Sequence, residues 1–289
     1  MEPKGPNARS QLDREALKSR LLDDLQRGRL TLPGLPELAL QVREEIERSG
    51  CTHARLARIV QRDPAIATRV LKLAQSAARR TGRDVSSLES AVARLGLDHL
   101  RTLVTSLCLL RMLNAVHASH ARLVGEVYRH SIEVGTLARV LAQDQPHLDP
   151  GTALLAGLMH DIGKLAIARY LDSGSPDALS DEAILGLIQE LHAEVGARIL
   201  QAWDFPASLV AVARWHDAPW APRSGPVDYL DLVQVANLEA GSAQARDMAP
   251  EERAALPAYR RLGLAAQGPL AESPALAERL QEARDWLSA

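Results

Sequence analysis

From Leu12 to Ala240 the apolar residues recur three and four apart, one helix-start signal follows another, and no run alternates apolar with polar side chains as a half-buried strand would. That pattern restricts the chain to an all-α fold. Residues 1 to 10 are polar and read as disordered, after which Leu12, Leu17, Leu21, Leu22 and Leu25 predict a leading amphipathic helix, stopped by Thr31-Leu32-Pro33-Gly34-Leu35-Pro36. A helix is expected from Glu37 to Arg48, and another from about Thr52 that ends before Pro64, since proline disfavours helix in the residue ahead of it. Asp63-Pro64 reads as a cap with a first-turn proline, and Ser86 with Glu89 three positions on reads as a capping box for a helix closed by Gly96.

The segment His99 to Leu113 is apolar nearly all round, so it is expected at the centre of the molecule, joining two helical lobes. Further helices are expected near 119–143, 150–160, 163–171, 181–201 and 206–215, with Asp149-Pro150 and Asp204-Phe205-Pro206 as starts. The expected organisation is a leading segment (1–30), an N-terminal lobe (31–115), a second lobe (116–240) and a short helical tail (241–289), with no internal repeat.

Charge narrows the function classes. The 34 basic residues stand against 36 acidic ones, which gives no broad surface for nucleic acid or an anionic membrane, and nine aromatics are too few for a base-stacking platform. No apolar window long enough to span a bilayer occurs, and Met1–Leu30 has no secretory pattern. Cys51 and Cys108 lack the spacing of a zinc knuckle or redox pair and read as free thiols, so a cytoplasmic location is expected.

The residues that carry chemistry lie between 126 and 237. Glu126 and His130 sit four apart on an expected helix, which puts carboxylate and imidazole on one face; His160-Asp161 ends an apolar helix and is followed by Ile162-Gly163-Lys164. His192 and His216 follow on separate helices. One inward-facing ligand per helix is how bundles assemble metal sites, and this donor mixture suits iron, manganese or zinc. Read singly, each histidine is more often a hydrogen-bonded core residue than a ligand, while Glu126–His130 reads equally as an ordinary helix-face pair, Asp217 as a cap ahead of Pro219, and Lys164 as a surface side chain with a buried stem.

Taken together, Leu158-Met159-His160-Asp161-Ile162-Gly163-Lys164, His130-Ser131 upstream and His192-Ala193-Glu194-Val195-Gly196 downstream resemble the HD superfamily of metal-dependent phosphohydrolases. Within it the sequence is similar to the HDOD domain, the HD-related output domain of bacterial signalling proteins. Leu32-Pro33-Gly34-Leu35-Pro36, Gln61-Arg62-Asp63-Pro64-Ala65, Val85-Ser86-Ser87-Leu88, Arg94-Leu95-Gly96 and Trp203-Asp204-Phe205-Pro206 occur in that family's order, and the resemblance covers about residues 30–240.

The resemblance implies an HD-like helical bundle behind an N-terminal helical lobe. Carried over by motif, Glu126, His130, His160, Asp161, His192 and His216 match the metal ligands of the catalytic HD-GYP relatives, and Lys164 matches their phosphate-contacting lysine. In a hydrolase, Asp161 and Lys164 would be the catalytic pair, Asp161 bridging two cations that activate water for attack on phosphorus. Two departures argue against hydrolysis of cyclic dinucleotides. Asp217 stands where those enzymes carry a second histidine, with no Gly-Tyr-Pro following, and Asn237 stands in place of the last aspartate ligand. The implied function is therefore a signalling module with a degenerate metal site, its partner another signalling protein or a small nucleotide; the alternative is a metal-dependent phosphohydrolase.

Overall fold

The computed structural model of the protein describes residues 8–27, 33–79, 85, 87–114, 121–174, 181–241, 248–264 and 274–288. Those residues form helices and connecting turns, with no strand among them. None of the described helices is long and apolar enough to cross a membrane.

The N-terminal half comprises α1 (Ala8–Gln26), α2 (Glu37–Glu47), α3 (His53–Val60), α4 (Pro64–Arg79), α5 (Leu88–Leu95) and α6 (Leu97–Asn114). Local chemistry sets these boundaries. Thr52 caps α3 by accepting from the Arg55 amide, and Asp63 accepts from the amides of Ala65 and Ile66, both at 3.1 Å, to open α4 behind Pro64. The capping box expected at Ser86 and Glu89 is formed instead by Ser87 and Ser90, each accepting from the other's amide; Ser86 itself lies outside the described residues. A serine hydroxyl at the third helical position is compact enough to reach back to Ser87, which leaves Glu89 on the surface. Gly96 closes α5 at φ +78°, a left-handed conformation open to glycine without strain. At the start of the chain, helix begins already at Ala8, inside the stretch expected to be irregular, whose first seven residues lie outside those described.

The second half comprises α7 (Ala121–Ala142), α8 (Pro150–Met159), α9 (Ile162–Gly174), α10 (Asp181–Ala202), α11 (Ala207–Trp215) and α12 (Tyr229–Glu239), then α13 (Pro250–Ala255), α14 (Pro257–Arg261) and α15 (Pro274–Ser288). Asp149 opens α8 as expected, accepting from the Thr152 amide and hydroxyl. Asp204, expected as part of a start signal, instead ends α10: it takes φ +58°, and the Phe205 amide returns to the Leu200 carbonyl in a left-handed helix stop. Helix α12 has no counterpart in the expected series, although Asp228 and Asp231 cap it reciprocally.

Helix α6 is the common wall. Leu100, Leu103, Val104, Leu107 and Cys108 fill the N-terminal core with α2 to α5, Leu109 enters the core of the second half, and Leu110 and Leu113 pack with Val124, Val127, Leu154, Leu158 and Leu165. A second tie joins the halves: the Trp203 indole donates to the Pro33 carbonyl at 2.7 Å, and Arg43 donates to the Trp203 carbonyl at 2.6 Å. Across the second half, α7 and α8 touch at two glycines, where a Cβ on Gly157 would lie 2.4 Å from Gly135 Cα. That backbone contact carries His130 on α7 toward the end of α8.

Candidate metal centre

Four helices deliver the histidines to one buried point. His160 follows the last residue of α8, Asp161 occupies the turn into α9, His192 lies on α10, and His216 follows the end of α11; all four side chains are buried. His130 from α7 is partly buried and stacks edge-on against His160 at 5.2 Å between ring centroids, while His216 meets His160 at 4.8 Å and His192 at 5.2 Å.

Helix backbone fixes which ring nitrogen faces inward. His160 Nδ1 lies 2.7 Å from the Gly157 carbonyl, His192 Nδ1 lies 3.0 Å from the carbonyls of Ile188 and Gln189, and His216 Nδ1 lies 3.0 Å from that of Ala213. A carbonyl only accepts, so each Nδ1 carries the proton and donates it, and each Nε2 is turned to the centre. The inward atoms are close. His216 Nε2 lies 3.3 Å and His192 Nε2 3.5 Å from Asp161 Oδ1, and the two Nε2 atoms are 3.3 Å apart.

Two groups of donors share Asp161: His130 and His160 on one side, His192 and His216 on the other, the donor atoms within each group lying within 4.8 Å of one another. Two of the central atoms, His160 Nε2 and Asp161 Oδ1, are buried without a hydrogen-bond partner. The 3.3 Å separation of His160 Nε2 from Asp161 Oδ2 brings two lone pairs together rather than a donor and an acceptor. Buried polar atoms of this kind call for an ion, a water or a proton between them. Imidazole nitrogens and a carboxylate oxygen converging with their outer nitrogens already anchored fit a divalent metal ion.

Electrostatics divide the cluster. Burial lowers His160 to about 4 against the pull of Asp161, so its imidazole is neutral. Burial also opposes a charge on His216, but its interaction with Asp161, with Asp217 behind it, outweighs this and raises its pKa. Asp161 is desolvated, yet the charge of Lys164 and the His216 ring beside it hold its carboxyl well below the usual range; Lys164 Nζ is 2.6 Å from Asp161 Oδ2. Asp217 is lowered too, burial being overcome by its hydrogen bond with His192 and by the charge of His216. The Lys164 ammonium and the raised pKa of His216 thus both favour positive charge beside the two aspartates.

Glu126, Asp217 and Asn237 differ in where they lie relative to the cluster. Glu126 is not brought to the cluster: its carboxylate is half exposed and pairs with Arg122 at 3.1 Å. Asp217 reaches the rim, 3.1 Å from His192 Nε2, and also accepts from Gln189. Asn237 on α12 stands in the cluster, its Oδ1 2.8 Å from His130 Nε2 and its Nδ2 3.3 Å from Asp217 Oδ1.

Other positioning residues were not singled out from the sequence. Gln234, one turn before Asn237, donates to the carbonyls of Trp215 and Ala218 and so grips the segment that bears His216 and Asp217. Asp231 is fully buried between Arg223 and Arg261 and anchors the start of α12. At Gly163 a Cβ would stand 1.9 Å from the His192 carbonyl oxygen, so α9 can approach α10 only because that residue has no side chain. The reciprocal Asp228–Asp231 spacing was the sequence signal for α12; the others depend on contacts between distant elements.

Comparison with known proteins gives the same architecture. An uncharacterised protein of Treponema pallidum (strain Nichols) is 23% identical over 201 residues, covering 66% of this chain and 39% of that protein. The chain therefore spans about two fifths of that relative's length. A candidate metal-dependent phosphohydrolase from Shewanella amazonensis SB2B superposes with a TM-score of 0.77 at 26% identity, over 95% of this chain and 99% of that one. An HDOD domain protein of unknown function from Geobacter sulfurreducens gives 0.64 at 19% identity over 93% and 99% of the two chains, a likeness of fold alone. Residues 32–219, which span the N-terminal lobe and the helices bearing His130, His160, His192 and His216, match the HDOD domain, and the chain belongs to that family.

Proposed function

We propose that this chain is a cytoplasmic signal-transduction module that works by binding a signalling protein or a small nucleotide, and that its HD-type metal site is degenerate. The observation that carries this reading is Asn237. A neutral amide stands where the superfamily places its last carboxylate, its oxygen faces His130 Nε2, and its nitrogen donates to Asp217. The site thereby loses one negative charge, and His130 has a partner within the protein.

A second reading, a metal-dependent phosphohydrolase, is favoured by the unpartnered His160 Nε2 and Asp161 Oδ1. His160, Asp161, His192 and His216 would then hold an iron, manganese or zinc ion. When bound, such an ion supplies Lewis acidity to a phosphoryl oxygen and acidifies water. Asp161 would lie between the two donor groups, and Lys164, about one-fifth exposed beside it, would offer its ammonium to a phosphate oxygen.

The test is turnover of cyclic di-GMP and of a generic phosphodiester by the full chain in the presence of Mn²⁺. The expected result is no product above the level of His160→Ala. Metal-dependent product formation that disappears in His160→Ala would make the cluster an active site and overturn the module reading.

A further inference from the structure

A cleft lies apart from the histidines, where α4, α6, α7 and α15 meet. Its volume is about 620 Å³, and Ala65, Ile66, Leu107, Leu110, Tyr128 and Ile132 are among its lining residues. Four arginines also line it, Arg69 from α4, Arg111 from α6, Arg129 from α7 and Arg284 from α15, against a single acidic residue, Glu133. With Arg111 offset by Asp63 outside the lining, an excess of positive charge still remains there, in a chain with slightly more acidic than basic residues overall.

The chemistry of the lining is of two kinds. Ile66, Leu107 and Leu110 are almost wholly buried and make an apolar floor. Arg129 and Arg284 are exposed, and neither forms an ion pair with another described residue. Arg111 is held in place by a two-pronged ion pair with Asp63, the same carboxylate that caps α4. Helix α15 brings Arg284 to the cleft by running antiparallel to α7, since Arg279 binds Gln143, Asp144 and the Val140 carbonyl near the end of α7.

We infer that this cleft binds a phosphorylated small molecule that carries a flat ring, a ligand of the nucleotide class. Guanidinium forks match phosphate oxygens and also stack on aromatic planes, and Tyr128 adds an aromatic face. The apolar floor takes the ring. The volume falls in the range of small-molecule sites rather than of extended macromolecular surfaces. The inference deepens the module reading, on which it rests, by giving the module an input site. Arg129 and Glu133 line the cleft from the helix that bears His130, so an occupant would act on the element reaching into the histidine cluster.

The experiment is calorimetric titration of the full chain with ATP, GTP and AMP, with pyrophosphate and adenosine as controls. At least one nucleotide is expected to bind with a dissociation constant below about 100 μM, and pyrophosphate and adenosine about tenfold or more weaker. The double variant Arg129→Glu/Arg284→Glu should weaken nucleotide binding by about tenfold or more while leaving the melting temperature unchanged, because both side chains are exposed. Absence of nucleotide binding at about 1 mM, equal binding by the double variant, or pyrophosphate as tight as the nucleotide would overturn the inference. So would preference for an acidic peptide over every nucleotide. A nucleotide whose binding is lost in Lys164→Ala but kept in the double variant would lie at the histidine cluster; that result overturns the cleft assignment and favours the hydrolase. Failure of the cleft alone leaves the turnover test of the module reading standing.

Discussion

Replacing Gly163 with alanine tests whether the approach of α9 to α10 is what assembles the histidine cluster. The added Cβ would stand 1.9 Å from the His192 carbonyl oxygen and 2.7 Å from the Gly196 amide nitrogen. Both obstacles are backbone, so no side chain can rotate away. Restoring ordinary contact requires the helices to part by about 1.5 Å, and the loss belongs at the upper end of overpacking effects, about 3 kcal/mol. For a domain of this size that corresponds to a fall in melting temperature of about 6–12 °C. Gly125→Ala is the control. Nothing lies within 4 Å of the Cβ it would add to the interior of α7, so it should stabilise by about 0.5–1 kcal/mol through reduced freedom of the unfolded chain. Thermal unfolding followed by circular dichroism measures both. A Gly163→Ala protein melting within about 2 °C of wild type would show that α9 and α10 slide apart freely, and the packing argument would be wrong.

Asp149→Ala removes a carboxylate that accepts from the Thr152 amide and hydroxyl, and should destabilise by about 1 kcal/mol in urea unfolding at pH 7. Burial pushes this carboxyl up, but the hydrogen bonds from Thr152 and Gly151 more than offset it and hold its pKa below the ordinary 3.8; its stabilisation is complete above that value and lost as pH falls through the folded value, so the difference from wild type should shrink in acid below about pH 4. Asn237→Asp sets a new carboxylate against Asp217, with the present amide nitrogen 3.3 Å from Asp217 Oδ1; the variant should melt below wild type in chelator and gain more than wild type from added Mn²⁺, and equal gains would refute the role given to Asn237. Cys108 is buried with its thiol pushed up to about 11, chiefly by burial, while Cys51 is partly exposed; a thiol reagent at pH 8 should label Cys51 first and Cys108 only on unfolding, and reductant should leave the melting temperature unchanged.

The all-α class was legible because helix caps act within four residues. Asp63, Thr52 and Asp149 cap where the local pattern places them, and Gly96 ends α5 where glycine is expected. Ser86 and Asp204 show the limit. A one-residue shift of a serine pair, or an aspartate turned left-handed by the return of Phe205 to Leu200, is decided by what the following turn packs against. At the site, His130, His160, Asp161, His192 and His216 stood out as a set through the resemblance of the motifs around them, since one histidine per helix is by itself weak evidence. Glu126 shared their spacing and still faces Arg122, since spacing gives a helix face but not which neighbour that face meets. Gln234, Gly163 and the Gly135–Gly157 contact act between elements remote in sequence, and no local signal distinguishes them.

Charge balance links what was legible to what was not. Asp161 is buried and Asp217 stands beside it at the rim, and two carboxylates so placed persist only with positive charge close by. Lys164 meets Asp161 at 2.6 Å, and His216, with its raised pKa, stands between the two aspartates at 3.3 and 3.6 Å. An aspartate at 237 would add a third carboxylate and require a further cation. Asparagine does not: its oxygen meets His130 and its nitrogen donates to Asp217, joining α7, α12 and the end of α11 with no change in net charge. Asparagine therefore lowers the negative charge that the cluster must balance and gives His130 and Asp217 a shared partner, while His160 Nε2 and Asp161 Oδ1 still lack one among the described residues.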